Sequence, residues 1–425
     1  MRKNILFKTE KRNRYLYSEG LECNILLHPI LFDYFSTAFL HNNNIESIQP
    51  TTYYEQKFKF LMEHGALQNK EISFITKPNP EDVKIKLANL RQLLFEVTDG
   101  CNLKCYYCGY GELYNNYDKR LSKKLSYEKV KTVIDYMVDL WMSPYNLSFN
   151  NVVDISFYGG EPLLNFDLIK KTIDYLREKN MVGMQFTFRM TTNGMLLDRY
   201  MDYLASENFD LLISLDGDEY ANSYRLTKSG RNSFSKVYSN VLMLKDKYPD
   251  YYANKVTFNA VLHDRNSYEK IYLFIKHNLN KSPLISELNT NGVKEDSLLE
   301  FNKMFTRSYE AQQEAYKVSE EMRNDSVITN ADSIQLRTML HGNSGYMFKT
   351  LNDLLKDSKT VSHMPSGTCM AFYKKFFITV NGKALPCEKI GQKYPLGCVS
   401  DQSVDLDFNN ISLLYENMYK PLLDL

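Results

Sequence analysis

Between about residues 91 and 290 the chain alternates short apolar runs with amphipathic stretches. The apolar runs are RQLLFEVT, VVDISFYGG, QFTFRMTTN, FDLLISLDG, KVTFNAVLH and ISELNT. Stretches such as NFDLIKKTIDYLREK and DRYMDYLASEN lie between them, with apolar residues at helical spacing. Strands and helices in repeated order predict an α/β fold with a parallel sheet, open or curled into a barrel. In such folds the functional residues collect at the carboxyl ends of the strands.

The segments on either side have different patterns. Residues 1–90 contain LECNILLHPILFDYF, which predicts a strand leading into a helix, and YYEQKFKFLMEHGAL, which predicts a second helix. KPNPEDVK then reads as a linker. We interpret residues 1–90 as an α+β accessory domain that either only packs or docks a partner peptide. Residues 291–360 predict a polar helical bridge. Residues 361–425 predict a small domain with a hairpin that turns at Asn381–Gly382.

Composition narrows the function classes. The 425 residues indicate two to four domains, and 52 basic against 51 acidic residues give no footprint of a nucleic-acid binder. No apolar run approaches the roughly eighteen residues of a membrane span. The basic start lacks the apolar run of a secretory signal, so a cytoplasmic location with reduced thiols is predicted. The seven cysteines are clustered, which favours metal binding over disulfides.

The strongest candidate site is the loop CNLKCYYC. It places Cys101, Cys105 and Cys108 at the spacing C-x3-C-x2-C directly after the strand RQLLFEVT. A zinc site would need a fourth Cys or His nearby, but the closest preceding histidine is His64 and the closest following cysteine is Cys369. Ferredoxin-type 4Fe–4S clusters use four thiolates, so three leave one iron open. The alternatives are a zinc or other structural metal and buried cysteines that bind nothing.

The next strand is followed by the turn SFYGGEP. Its glycines, Gly159 and Gly160, allow a ligand to approach the backbone closely. The carboxylate of Glu161 could accept a hydrogen bond from an ammonium group. Taken alone, the GGE sequence is a weak signal, because it is also typical of a tight turn from a strand to a helix.

Three further candidates follow the next two strands. Asn193 lies at the end of MTTNG, and Ser214 ends a strand in ISLDG. Arg225 follows eleven residues after Ser214, and its guanidinium suits a carboxylate ligand. The alternative for Arg225 is a surface arginine with an acidic neighbour. Asp216 faces substrate or caps a turn, and His263 is interpreted as a structural hydrogen-bonding residue.

The cysteine loop followed one strand later by GGEP resembles the signature of the radical S-adenosylmethionine (SAM) superfamily. The resemblance implies a partial (β/α)6 barrel whose 4Fe–4S cluster is held by the three cysteines, with SAM on the open iron. It also implies that Tyr107, the aromatic residue before Cys108, lies against the adenine. The predicted cofactor-binding set is Tyr107, Gly159, Gly160, Glu161, Asn193, Ser214 and Arg225. Within it, the GGE turn would bind the SAM amino group, and Ser214 with Arg225 the carboxylate.

The C-terminal cysteines give a second, weaker pattern. Cys369, Gly382 and Cys387 fit C-x12-G-x4-C, which resembles the opening of a SPASM/twitch domain with auxiliary iron–sulfur clusters. The cysteine-rich continuation of that domain is missing, since only Cys398 follows. We therefore expect a partial SPASM/twitch domain in which Cys369 and Cys387 are metal ligands, or a hairpin that binds nothing. Cys23 is interpreted as a packing residue.

The stretches YLYSEGLECNILLHP, FEVTDGCNLKCYYCGYGELY and TVNGKALPCEKIG resemble a subfamily of radical SAM peptide maturases found beside precursor-peptide genes. This implies an oxidoreductase that cleaves SAM reductively and abstracts hydrogen from a ribosomally synthesised peptide to install a thioether or C–C crosslink. The implied partners are that peptide and an electron donor such as flavodoxin or ferredoxin. Two alternatives are an oxidase of protein side chains, like the anaerobic sulfatase maturases, and a truncated non-catalytic scaffold. No catalytic acid or base is assigned.

Overall fold

The computed structural model of the chain describes residues 4–18, 23–40, 52–68, 79–147, 151–325 and 371–423. The chain divides into two compact units. The smaller comprises Met1–Thr76, Ala331–Thr368 and Tyr419–Leu425, and the larger comprises Lys77–Asn330 and Cys369–Met418. Among the described helices, none is long and apolar enough to cross a membrane.

The smaller unit contains an antiparallel three-stranded sheet followed by two helices. Its elements are β1 (Ile5–Lys8), β2 (Arg14–Ser18), β3 (Cys23–Leu27), α1 (Pro29–Leu40) and α2 (Tyr53–Glu63). One face of the sheet is closed by a core that includes the fully buried Leu16 and Phe35. A capping box between Thr52 and Glu55 starts α2. The predicted strand and both predicted helices are therefore confirmed.

The larger unit is built on a ten-stranded sheet. Its strands are β4 (Gln92–Thr98), β6 (Asn151–Gly159), β7 (Met184–Thr192), β8 (Asp210–Ser214), β10 (Val256–Val261), β11 (Leu284–Ser286), β12 (Lys375–Ile378), β13 (Lys383–Leu385), β14 (Gly397–Val399) and β15 (Val404–Asp405). The order is β11-β10-β8-β7-β6-β4-β12-β13-β14-β15. Pairing is parallel from β11 to β12 and antiparallel beyond β12. All six strands predicted in the α/β region are confirmed.

Helices precede, connect and follow the strands of this sheet. They are α3 (Pro80–Ala88), α4 (Tyr127–Trp141), α5 (Phe166–Glu178), α6 (Leu197–Ser206), α7 (Phe234–Lys247), α8 (Pro249–Lys255), α9 (Tyr268–Leu279), α10 (Leu298–Met304), α11 (Ser308–Val318), α12 (Glu320–Asn324) and α13 (Phe408–Leu423). A short antiparallel pair, β5 (Leu103–Cys105) and β9 (Arg225–Thr227), lies outside the main sheet. The linker interpretation of KPNPEDVK is wrong for its second half, because Asn79 caps α3 and Pro80 occupies its first turn.

The two faces of the parallel sheet differ in chemistry. One face carries large apolar residues such as Phe95, Phe157 and Phe258, which are at most 1% exposed. This is the helix side, since Trp141 of α4 packs against Phe186 of β7 with ring centroids 5.7 Å apart. The opposite face, here called the inner face, alternates with it and is mixed, because it carries Glu96 and Ser156 as well as the buried Leu94 and Phe377. Glu96 lies near the carboxyl end of β4, where ligand sites of α/β folds occur.

The C-terminal hairpin extends this sheet. Gly382 adopts φ +80°, and a Cβ there would lie 2.2 Å from the carbonyl oxygen of Val399, so the turn requires glycine. The predicted turn at Asn381–Gly382 is confirmed between β12 and β13. The loop that follows the cysteine loop is tied to this hairpin, because the Lys383 ammonium is 2.7 Å from the Asp118 carboxylate. Of the predicted helical bridge, residues 326–360 lie outside the described part of the chain.

Candidate functional site

The cysteine loop leaves the sheet where β4 ends. The Thr98 hydroxyl donates to the carbonyl of Lys123 at 2.6 Å and accepts from the backbone N–H of Gly100 at 3.1 Å. The Asp99 carboxylate accepts from the backbone N–H groups of Leu121 and Lys123 at 3.1 and 2.6 Å. These bonds fix the entry of the loop against the segment that precedes α4.

The three cysteines of the loop are all free and partly exposed. The sulfur of Cys101 accepts from the backbone N–H of Leu103 at 3.4 Å. Cys105 lies in β5, and its backbone is registered with Arg225 of β9. Burial raises the pKa of Cys105 to about 12, partly offset by the nearby Arg225 cation. Each of the other two thiols also raises this pKa, which places the three cysteines in one electrostatic neighbourhood.

The donor set decides which metal group would fit. Zinc draws four ligands around one ion, whereas this loop supplies three cysteines. A four-iron cluster separates its thiolates over three corners, and three free cysteines on one loop fit that larger group.

The GGE turn packs directly against the cysteine loop. A Cβ at Gly159 would lie 2.1 Å from the Thr98 carbonyl oxygen, and one at Gly160 would lie 2.0 Å from that of Gly100. The backbone N–H groups of Gly160 and Glu161 donate to these two carbonyls, each at 2.9 Å. The structure therefore places the second predicted motif beside the first, and the glycines permit the approach.

Glu161 is fully buried and its carboxylate is already hydrogen-bonded. It accepts from the Thr192 hydroxyl at 2.7 Å and from the backbone N–H groups of Asn193 at 2.7 Å and Leu163 at 3.2 Å. Burial raises the pKa of Glu161 to about 7, and the three donors oppose that shift. The carboxylate thus joins the end of β7 to the GGE turn, so an ammonium ligand would share it with these donors.

Asn193 joins the same neighbourhood. Its side-chain nitrogen lies 2.7 Å from the Asn102 side-chain oxygen and 3.6 Å from the sulfur of Cys101. Its side-chain oxygen accepts from the backbone N–H of Met195 at 3.0 Å. The amide thereby connects the end of β7 to the first cysteine.

Asp216, which follows β8, accepts hydrogen bonds from several groups. The Arg225 guanidinium donates to it from Nε at 2.9 Å and from Nη2 at 2.8 Å, and the Tyr107 hydroxyl also donates to it. The backbone N–H of Val261 donates at 2.9 Å, and His263 Nε2 lies 3.7 Å away. Burial alone would raise the pKa of Asp216, but Arg225, His263 and Tyr107 together lower it to about 2.

The hydrogen bonds around Asp216 affect the predicted SAM contacts of Tyr107 and Arg225. Tyr107 is 7% exposed, with its ring against Tyr224 and His263 at centroid distances of 6.2 and 5.6 Å. Arg225 is also buried, and two of its three guanidinium nitrogens face Asp216. Ser214 is half-buried at the end of β8.

The C-terminal cysteines are placed only in part. Cys387 is half-buried just after β13, and Cys398 is exposed, with its sulfur 4.0 Å from the Asp405 carboxylate. Cys369 lies outside the described residues, so the predicted Cys369–Cys387 ligand pair stays a prediction.

Two acidic residues have sequence signals that the predicted site set does not use. The sequence predicts Asp216 only as a substrate contact or a turn cap, although an acid shortly after a strand of an α/β fold is typical of a site residue. Glu96 has no predicted role, although a charged residue within the buried strand LLFEVT is itself a signal. Arg120, which lies 3.9 Å from Glu96, carries no local pattern.

Residues 95–277 match the profile of the Radical SAM superfamily. The chain contains a radical SAM domain. The chain is 23% identical over 299 residues to the radical SAM cyclopropyl synthase TigE of Paramaledivibacter caminithermalis, covering 68% of this chain and 56% of TigE. It is 27% identical over 197 residues to a cysteine-type anaerobic sulfatase-maturating enzyme of Clostridium novyi, covering 45% of this chain and 49% of that enzyme. The chain therefore spans about half the length of these two relatives.

Among solved structures, native anSMEcpe with bound AdoMet has a TM-score of 0.52 at 20% identity, covering 76% of this chain and 80% of that one. This likeness concerns the fold, and it confirms the predicted α/β class with a parallel sheet. The recognition of a radical SAM domain is confirmed by the family match. The predicted cofactors, a 4Fe–4S cluster and SAM, are those of the superfamily, and the cysteine loop fits them.

Proposed function

We propose that this chain is a radical SAM enzyme that modifies a peptide substrate. The observation that carries the proposal is the packing of the GGE turn against the loop of Cys101, Cys105 and Cys108 inside a radical SAM domain. When bound, the 4Fe–4S cluster and SAM supply a 5′-deoxyadenosyl radical through reductive cleavage of SAM. The protein's contribution is to hold these groups and keep water away from them.

The proposed residue roles follow from the geometry. The three cysteine thiolates hold the cluster, and Asn193 keeps the loop near Cys101 in place. The turn of Gly159, Gly160 and Glu161 is proposed to bind the SAM amino group. Ser214 and Arg225 are proposed for the SAM carboxylate. Because Asp216 engages Nε and Nη2, Arg225 would bind that carboxylate through Nη1.

Tyr107 is proposed as a wall of the SAM site rather than a freely exposed stacking surface. Its ring is buried, and its hydroxyl is tied to Asp216. The Arg225 guanidinium carbon also lies 5.5 Å from the centre of that ring. A side chain held from three sides keeps a fixed edge next to Cys108, which suits the adenine contact that the resemblance implies.

The proposed substrate is a ribosomally synthesised peptide, and the product a thioether or C–C crosslink. TigE is described as a cyclopropyl synthase, and the Clostridium novyi relative as a sulfatase-maturating enzyme. An anSMEcpe structure contains AdoMet together with the Kp18Cys peptide. The inner face of this chain would receive such a peptide at the carboxyl ends of the strands.

The smaller unit is proposed to dock the leader segment of the precursor. Its sheet has the order β1-β2-β3, so both outer strands present an edge within the described residues. Leu26 on β3 is 63% exposed, and its register partner Tyr15 stacks on Phe7 at 5.3 Å. An extended peptide can add to such an edge through backbone hydrogen bonds and place apolar side chains on this face.

Two further parts of the hypothesis concern electron flow. An electron donor such as flavodoxin or ferredoxin would reduce the cluster. Cys387, with Cys369, would hold an auxiliary iron–sulfur cluster in a partial SPASM/twitch domain. Cys387 is half-buried, and its neighbour Glu388 forms an ion pair with Lys375 at 2.7 Å. Both facts support a sheltered site there. A cytoplasmic location also stays a prediction.

A second candidate is oxidation of a protein side chain, as in sulfatase maturation. The Clostridium novyi relative favours it, although only 49% of that enzyme is covered. The substrate separates the two: a precursor peptide encoded beside the gene, or a peptide carrying a sulfatase active-site cysteine. The third reading, a non-catalytic scaffold, predicts no SAM cleavage with either peptide.

The deciding experiment combines metal analysis with SAM cleavage after anaerobic reconstitution. Wild type and a Cys101→Ala/Cys105→Ala/Cys108→Ala variant are compared for iron per chain and for 5′-deoxyadenosine formed under dithionite. About four irons falling to none supports one cluster, and about eight falling to four supports an auxiliary cluster as well. Reconstituted wild type that binds four irons but forms no 5′-deoxyadenosine would refute the enzymatic proposal and leave the scaffold.

A further inference from the structure

The inner face holds a buried carboxylate near the carboxyl end of β4. Glu96 of β4 is 2% exposed, and its register partner across the strand pair is Tyr158 of β6. The carboxylate accepts from the backbone N–H of Val380 at 3.0 Å. Burial raises the pKa of Glu96 to about 7. A charged residue here interrupts an otherwise apolar strand, which is typical of functional positions.

Arg120 stands over this carboxylate without making a hydrogen bond to it. Its Nη2 lies 3.9 Å from Glu96 Oε1, beyond hydrogen-bond distance. Its guanidinium carbon lies 3.7 Å from the centre of the Tyr110 ring, in a cation–π contact. The guanidinium is therefore fixed by an aromatic face rather than by acceptors.

Three donors in this cluster have no partner within the described residues. They are Nε and Nη2 of Arg120 and the hydroxyl of Tyr110, and all three atoms are buried. Buried polar groups in native proteins are hydrogen-bonded almost without exception, and each exception needs an explanation. Three such donors on two touching side chains indicate a position for an acceptor that belongs to a ligand.

The cluster is close to the cysteine loop. Tyr110 follows Cys108 by two residues, and its ring lies 4.6 Å from that of Tyr117 and 6.4 Å from that of Tyr158. Cys108, Glu388 and Arg120 all act on the pKa of Tyr158, which burial raises strongly. Because Tyr110 is two residues from Cys108 and Arg120 lies over its ring, a group bound by both side chains would be near the third cysteine, and the Glu96–Val380 hydrogen bond joins this region to the C-terminal hairpin.

We propose that Arg120 and Tyr110 bind a main-chain carbonyl oxygen of the peptide substrate and so position the residue to be modified. This inference rests on the proposed function and names a contact for its substrate. The planar guanidinium and the hydroxyl converge as donors, which suits an oxygen acceptor. These are positioning residues for the peptide and make no contact with the cofactors in this assignment.

Local charge favours a neutral acceptor over a carboxylate. Glu96 already faces Arg120, and Asp99 and Asp118 lie close enough to raise the pKa of Glu96 further. Asp118 is paired with Lys383, so it does not neutralise Arg120. A substrate carboxylate would add a fourth acid to this neighbourhood, whereas a carbonyl oxygen adds none.

The test uses the anaerobically reconstituted full chain and a synthetic copy of the small peptide encoded beside its gene. The variants are Arg120→Gln, Arg120→Lys and Tyr110→Phe. The control is Arg177→Gln, which removes an exposed arginine paired with Glu207. Each protein is measured for iron per chain, for 5′-deoxyadenosine formed without peptide, and for KM and kcat of peptide modification.

For both Arg120 variants we expect unchanged iron and peptide-free 5′-deoxyadenosine, but a KM for peptide raised roughly tenfold or more. For Tyr110→Phe we expect a smaller rise of about threefold. Arg177→Gln should match wild type.

Wild-type kinetics for Arg120→Gln would overturn the inference, as would loss of iron or of peptide-free cleavage in parallel with modification, because that would indicate a purely structural role. A wild-type KM for peptide in Arg120→Lys would show that a positive charge alone suffices. It would contradict the assignment of a neutral carbonyl oxygen as the acceptor. Failure of the wild type to modify any peptide would instead refute the proposed function, and with it the premise of this inference.

Discussion

Asp216 and Arg225 form a two-point ion pair in which the carboxylate is fully buried and the arginine side chain is 8% exposed. Arg225 reaches it across the short strand that pairs with the cysteine loop, since its backbone is in register with Cys105. Tyr107 donates to the same carboxylate from within the loop. Asp216 thereby couples the position of the cysteine loop to the ends of β8 and β10.

Breaking this pair from one side should be costly. Asp216→Asn leaves the buried Arg225 cation without its counter-charge, so we expect the free energy of unfolding to fall by about 3–5 kcal/mol. The double variant Asp216→Asn/Arg225→Gln removes both charges and should recover part of that loss. Denaturant unfolding of the reconstituted protein measures both. Equal stability of Asp216→Asn and wild type would mean that the pair contributes little.

Arg225→Ala should also weaken SAM binding. If the remaining Nη1 contacts the SAM carboxylate, the loss of a charged hydrogen bond corresponds to about 1.5–3 kcal/mol of binding free energy. The dissociation constant of SAM, measured anaerobically by equilibrium dialysis, checks this. Lys236→Ala, which removes an exposed ion pair with Asp198, serves as a control. An unchanged dissociation constant would remove Arg225 from the SAM site.

The close approach of the GGE turn to the cysteine loop predicts that alanine destabilises the chain at Gly160 but is tolerated at Gly109. Gly160→Ala would place a methyl group 2.0 Å from the Gly100 carbonyl oxygen, so the loop must shift. We expect a loss of about 1–3 kcal/mol in unfolding free energy and reduced iron per chain after reconstitution. Gly109→Ala, in the same loop, has no atom within 4 Å of the added methyl group and should behave like wild type. Similar iron contents in both variants would contradict the predicted packing.

The sequence predicted the strands of the α/β region because their apolar faces are continuous. Phe95, Phe157 and Phe258 sit on the helix side of a parallel sheet, and such strands read as apolar runs. It misjudged α3 because the two prolines of KPNP obscured a good N-cap at Asn79 followed by Pro80. Propensity alone cannot separate a proline that ends a segment from one that begins a helix.

The site was only partly predictable for a different reason. Cys101, Cys105 and Cys108 form a local pattern, and the GGE turn is equally local. The pairing of Asp216 with Arg225 and Tyr107 joins three separate segments, of which the sequence gives only the separations. Arg120 follows Glu96 by 24 residues, which comprise the end of β4, the cysteine loop with β5 and the loop after it, and no local sequence pattern marks it. Contacts of this kind depend on how the loop folds back over the inner face.

The cluster assignment predicts a chemical rather than a structural loss on removing one cysteine. In Cys105→Ala the backbone pairing of β5 with β9 is retained, because it does not involve the sulfur. We therefore expect the variant to fold while 5′-deoxyadenosine formation is abolished. Cys398→Ala, which removes an exposed thiol, is the matched control and should retain SAM cleavage. Normal 5′-deoxyadenosine formation by Cys105→Ala would refute its role as a cluster ligand.

The buried carboxylate of Glu96 predicts a defined pH dependence of stability. Burial raises its pKa from 4.5 to about 7, so the folded chain binds this proton more tightly than the unfolded chain does. Stability from Glu96 is therefore greatest below pH 4.5 and is lost as the pH rises through 7, by up to about 3 kcal/mol. Glu96→Gln cannot ionise, so its unfolding free energy should fall less between pH 4.5 and 8 than that of the wild type. Glu161 has a similar shift and stays in both proteins, which means that only the difference between the two curves reports on Glu96. Curves that run parallel from pH 4.5 to 8 would show that Arg120 already keeps Glu96 ionised in the folded chain.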